Sequence, residues 1–181
     1  MSVLSLDHPG PWRFEELTDL PDDGRRFEVV DGNLVVTPPS TQYHQAVSSL
    51  IYQELMRACP DDWRVYAEFA LPLGTDGRVP DVAVVRADAP IRRRRPYPVG
   101  PEYFGLVAEV VSPRTRKTDR FTKPGEYAEA GVPLYWRVEL EPEVRLHGFV
   151  LQGERYVEVH GPLPVPWGQL ELDLSSLLPP D

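Results

Sequence analysis

Asp81 and Glu109 are the two residues that most need a chemical explanation. Glu109 stands inside FGLVAEVV, residues 104–111, a run otherwise made of apolar residues and glycine. Asp81 stands near the head of a second apolar run, VPDVAVV, residues 79–85. A carboxylate in an apolar strand is costly unless it is paired or holds a cation. If the two strands are antiparallel neighbours, the start of one lies beside the end of the other. Period-two alternation then puts both carboxylates on one face. Carboxylates that close repel unless a cation lies between them or one keeps its proton. Oxygen-only ligation suits Mg2+ or Mn2+, with waters completing the shell. Lys123 completes the constellation. It precedes Pro124 at the expected start of a helix, where the helix dipole mildly disfavours a cation and an acidic neighbourhood would offset that. Its ammonium would orient an attacking water or steady charge on a phosphate, while the ion lowers the pKa of the water. Taken alone, Lys123 reads equally well as a surface partner of Asp119, a pairing worth under about 1 kcal/mol.

The basic residues sharpen the case. Of 19, 17 are arginine, and only Lys117 and Lys123 are lysine. An ammonium is a compact charge whose pKa can be moved, whereas a guanidinium stays charged. A site that needs that property is one explanation, and an arginine-biased composition is the other. The net charge of −9 argues against passive binding of a polyanion. The charge is uneven, however. Arg86 to Lys123 holds ten basic and four acidic residues, a local +6, which leaves −15 on the rest. One face can therefore meet an anion while the remainder repels it. The run Arg92 to Arg95 within that stretch reads equally as a solvated loop.

The elements that must position these residues follow from pattern. Residues 25–30 and 33–37 read as a hairpin about Asp31-Gly32. Apolar positions from Tyr43 to Ala58 keep helical spacing, and Pro60 ends that helix. Residues 63–73 alternate as one strand, followed by a Gly-Thr-Asp-Gly turn. Residues 79–85 and 104–111 are strands, the second apolar on both faces and so central in a covered sheet. Thr115 to Ala130 is helical in places, with Pro124 suited to a first turn and Gly131 to a C-terminal cap. Residues 134–138 form a further strand, and 143–150 with 155–160 a hairpin about Gln152-Gly153. The expected class is α/β, a mixed sheet with helices on its faces.

At 181 residues, 41% hydrophobic and 26% charged, the chain fits one domain with a sizeable core. No apolar run approaches the roughly 20 residues of a membrane span. The start, MSVLSLDHPGPW, has none of the features of a signal peptide. Cys59, the only cysteine, excludes an internal disulfide or a cysteine-built metal site. A cytoplasmic location without a membrane partner is expected.

Several short motifs occur in order: Phe27-Glu28-Val29-Val30-Asp31-Gly32, His44-Gln45, Val79-Pro80-Asp81-Val82-Ala83 and Ala108-Glu109-Val110-Val111-Ser112-Pro113, followed by Thr122-Lys123-Pro124 through Tyr127 and Ala130-Gly131-Val132-Pro133-Leu134-Tyr135-Trp136. The series resembles the bacterial family of putative restriction endonucleases of unknown function, within the PD-(D/E)XK nuclease superfamily. It runs from about Phe14 to His160 and leaves residues 161–181 as a proline-rich tail. The resemblance implies a restriction-endonuclease-like core and divalent-metal phosphodiesterase chemistry on nucleic acid, DNA in the first instance, by a homodimer. By position Asp81 matches the first acid and Glu109 the second, with the main-chain carbonyl of Val110 as third metal ligand. Val111 stands where the superfamily usually has lysine. The resemblance implies that this residue has moved to the following helix, which indicates Lys123, with Lys117 as the alternative. Glu28 matches an early glutamate that would face the same cleft and hold a second ion or a metal-bound water; a solvent-facing hairpin carboxylate is the other reading. His44 would support the ligands or touch a phosphate, or simply belong to a helix cap. Tyr127 and Trp136 read as core, and His8, His147 and His160 as non-ligands. Two other functions fit the same residues: a catalytically silent binding or assembly module on a nuclease fold, and a carboxylate-based hydrolase of another ester.

Overall fold

The computed structural model describes residues 8–21, 23–91, 99–172 and 174. The Arg92 to Arg95 run lies outside the described residues. The strands are β1 (Arg26–Val30), β2 (Asn33–Thr37), β3 (Trp63–Ala67), β4 (Leu71–Leu73), β5 (Asp76–Arg78), β6 (Val82–Arg86), β7 (Phe104–Val110), β8 (Leu134–Glu139), β9 (Arg145–Gln152), β10 (Arg155–Val159), β11 (Leu163–Val165) and β12 (Gly168–Leu170). The α-helices are α1 (Gln42–Ala58) and α2 (Lys123–Glu129). The expected class stands: a mixed sheet flanked by helices.

A six-stranded sheet in the order β10-β9-β8-β7-β6-β3 forms the centre. Only β7 and β8 pair in parallel; the other neighbours are antiparallel. A parallel pair needs a crossover connection, and α2 supplies it. The sheet is covered on both faces, and β7 between β6 and β8 is buried along its whole length. One face packs Val82, Val84, Leu106, Ala108 and Val110 against Val47, Ile51 and Leu55 of α1. The other packs Ala83, Val85 and Val107 against Tyr127 of α2 and Tyr135. Alternation on β7 therefore directs Glu109 to the α2 face.

A smaller sheet, β2-β1-β5-β4, stands beside this core. Its hairpin turn is the expected Asp31-Gly32, both residues at positive φ (50° and 69°) as a two-residue turn of this hand requires.

The structure departs from pattern at four places. Residues 63–73 are not one strand but two, β3 in the large sheet and β4 in the small one. The break is Glu68, a non-glycine residue at φ 49° whose N–H donates to the carbonyl of Asp81. The turn after β4 is only Gly74-Thr75, since Asp76-Gly77 already belongs to β5. The tail carries the hairpin β11–β12, and Leu163, Val165 and Leu174 join the α1-side core. A short 3-10 helix, Phe14–Asp19, also precedes β1. Alternation could not reveal these breaks, because they arise from contacts made across the chain.

Candidate active site

Antiparallel pairing of β6 and β7 matches Val82 with Ala108, so Asp81, one residue ahead of β6, falls beside Glu109. Both side chains line one cavity of about 340 Å3 together with Arg26, His44, Asp119 and Lys123. All six of these residues come from different elements that converge at one end of the β6–β7 pair. α1 presents His44 from its first turn, where the Thr41 hydroxyl accepts the His44 N–H and fixes the helix start. A π-helical turn, Thr118–Thr122, leads directly into α2 and puts Asp119 and Lys123 one turn apart.

The Asp81 side of the cleft is crowded with donors. Its Oδ1 accepts from Arg26 Nη2 at 2.8 Å and its Oδ2 from the Val110 N–H at 2.8 Å. His44 Nε2 donates to the Val110 carbonyl at 2.8 Å and lies 3.3 Å from Asp81 Oδ2. Burial alone would raise the Asp81 carboxyl. The hydrogen bond from His44 and the charges of Arg26, His44 and Lys123 outweigh it and hold the group well below the usual range. Burial would lower His44, but the Asp81 contact and the Val110 carbonyl raise it.

The Glu109 side is built from α2. Glu109 is only 1% exposed. Tyr127 OH donates to its Oε1 at 2.5 Å, and Lys123 Nζ sits 2.9 Å from its Oε2 and 3.0 Å from Asp119 Oδ1. Burial raises the Glu109 carboxyl; Lys123 opposes that, while Asp81 and Asp119 add to it. Lys123 stays firmly charged, because Glu109 and Asp119 outweigh its burial.

Each sequence expectation thus has a place. Asp81, Glu109, Lys123, His44 and the Val110 carbonyl come together. Lys117 is exposed and outside the cleft, so the two lysines are not interchangeable. Glu28 is neither solvent-facing nor a lining residue of the cleft. It is 5% exposed and held by Arg78 Nη1 at 3.2 Å and by the Val79 N–H at 3.0 Å. Its charge still helps keep Lys123 protonated. Asp119 is a buried member of the cleft rather than a surface partner. Sequence reasoning missed Arg26 and Tyr127 as contacts of the two acids. The signal for Tyr127 was its place four residues after Lys123, on the same helix face. Nothing local marked Arg26. His8 and His147 contact Glu16 and Glu158 at 3.1 and 2.7 Å, away from the cleft.

The donor set can be tested against a divalent ion. Asp81, Glu109 and the Val110 carbonyl are all oxygen donors, as hard cations require. Asp81 Oδ2 and the Val110 oxygen approach a single atom, His44 Nε2, so two of the three already share a focus. His44 Nδ1 in the same cleft is buried without a hydrogen-bond partner. These residues fit the ion in type. Among the described residues no group of three or more His, Cys, Asp or Glu side chains is arranged to hold a metal.

Comparison with known proteins bears on the family and the fold. A family model, Uma2, described as "Putative restriction endonuclease", matches residues 14–177. A crystal structure described as a putative nuclease belonging to DUF820, from Anabaena variabilis, superposes with a TM-score of 0.71 at 18% identity. The superposition covers 92% of this chain and 97% of that one, so the two share a fold. No curated protein matches the chain. No described helix is long and apolar enough to cross a membrane.

Proposed function

The chain belongs to the Uma2 family of putative restriction endonucleases, and from that premise we propose that it is a divalent-metal-dependent endonuclease hydrolysing phosphodiester bonds in DNA. The observation that carries the reading is the convergence of Asp81, Glu109 and Lys123 on one cleft, with the Val110 carbonyl beside them. Asp81, Glu109 and that carbonyl would hold Mg2+ or Mn2+. When bound, the ion would lower the pKa of a water and offer positive charge to the reacting phosphate. Lys123 positions the water or the phosphate, fixed by Glu109 and Asp119 so that little reorganisation is needed. Tyr127 orients Glu109. Arg26 and His44 neutralise Asp81 and lie where a phosphate would approach.

The reading is tested by calorimetric titration with Mn2+ together with a cleavage assay. Wild type should bind the ion and cut. Asp81→Asn should lose the ion while keeping its circular dichroism spectrum. Equal cleavage by wild type and the Asp81→Ala/Glu109→Ala protein defeats the assignment.

A second reading rests on a specific observation: every Asp81 and Glu109 oxygen already has a protein donor or cation. A catalytically silent binding module would look like this, and metal-independent partner binding with no Mn2+ heat would establish it. A symmetric dimer suits two-strand cutting; light scattering that shows only monomer at micromolar concentration removes it.

A further inference from the structure

Arg26 borders a second cavity. It has a volume of about 440 Å3, and its walls include Phe14, Phe27, Phe69 and Val99. Such a volume and apolar lining are those of a small-molecule pocket, for which about 300–1,000 Å3 is usual. Neighbouring groups brace three of the walls. Phe14 lies so close to β5 that a Cβ at Gly77 would stand 2.0 Å from its ring, so glycine is required there. Phe69 stacks on Tyr66 with ring centroids 4.5 Å apart. The Arg25 guanidinium sits 5.2 Å from the centre of the Phe27 ring. Two polar groups join it to the acidic cleft: Arg26 lines both cavities and links Glu68, on the second cavity, to Asp81 in the first.

We propose that this aromatic cavity receives one unstacked nucleobase of the substrate strand, adjacent to the phosphate that enters the cleft across Arg26. The inference rests on the phosphodiesterase reading and adds a substrate class to it. A flat, apolar-faced group tethered to a phosphate is what an aromatic pocket beside such a cleft can accept, and every base has a face that stacks on phenylalanine. A base stacked in duplex cannot reach the pocket, so the strand must be single or locally opened there.

The test is fluorescence anisotropy with a labelled single-stranded DNA 12-mer, its copies carrying one abasic residue at each position in turn, and the same sequence as duplex. Binding is measured in Ca2+ and again in EDTA. One abasic position should weaken wild-type binding about tenfold in at least one buffer, within the range of a lost base–aromatic stack. The duplex should bind more weakly than the single strand. Phe27→Ala should lose the abasic discrimination. So should Thr18→Trp, which fills the cavity from an exposed rim position without removing core packing. Equal binding of every abasic strand by wild type, or discrimination that survives in both variants, overturns the pocket. A protein that cuts DNA but does not discriminate overturns the pocket alone; one that neither binds nor cuts overturns the phosphodiesterase reading with it.

Discussion

Two groups of buried charge meet the same short helix, α2, and they are built differently. Arg78 donates Nε and Nη2 to the two oxygens of Glu126 at 2.8 and 2.7 Å, and Nη1 to Glu28. One planar guanidinium thereby ties β5, α2 and β1 into a clasp. Lys123, three residues before Glu126, instead stands between Glu109 and Asp119 with its ammonium lining the cleft. The guanidinium's rigid fork fixes geometry, whereas the ammonium keeps a compact charge that can turn towards a ligand. Burial of charge alone therefore does not mark a catalytic group. What separates the two clusters is position: Lys123 lines the cleft that holds Asp81 and Glu109, and Arg78 does not.

That comparison can be broken most directly by activity. Glu109→Ala should lower cleavage by on the order of 10²–10³ or more, the scale of removing a group that steadies reacting charge. Glu28→Gln should stay within about threefold of wild type in kcat, with any loss showing as a lower melting temperature. A kcat collapse in Glu28→Gln would mean that the clasp belongs to the chemistry.

Stability reads the clusters the other way. Arg78→Met leaves Glu28 and Glu126 without their cation and should cost roughly 3–5 kcal/mol in urea unfolding, the penalty for breaking a buried pair. Cleavage per folded molecule should persist. Lys123→Met should lower both stability and cleavage, because Glu109 and Asp119 lose their shared cation. Lys117→Met, at an exposed position, should change neither by more than about 0.5 kcal/mol of stability. An inactive Lys117→Met would reverse the choice of site lysine.

The smallest effect concerns pH and a third, purely structural pair. Burial would raise Glu139, but its hydrogen bonds from Arg120, at 2.9 and 2.7 Å, and that residue's charge hold it below the ordinary value of 4.5. A carboxyl whose folded pKa is depressed stabilises the fold above its unfolded pKa and loses that contribution as pH falls through the folded one. Unfolding midpoints followed below about pH 4.5 should therefore decline less in Glu139→Gln than in wild type. Identical slopes would show that the pair contributes nothing measurable.

Much of this was legible along the chain. Strand alternation, the Asp31-Gly32 turn and the Gly131 cap are local signals, because steric preference and burial of one face act over a few residues. They were enough to put Asp81 beside Glu109 on the condition that their strands pair antiparallel, and β6 and β7 meet that condition. An arginine-rich chain also made its two lysines conspicuous, and the family resemblance favoured Lys123 with Lys117 as the alternative. Only the tertiary structure decided the rest. Glu28 reads like a site residue in sequence, yet Arg78, fifty positions away, claims it. Arg26 carries no local mark, but it sits on Asp81 and between two cavities. Short-range pattern determines which face a side chain takes. Which charge neutralises which depends on strands brought together from distant parts of the chain, and no spacing rule encodes that pairing.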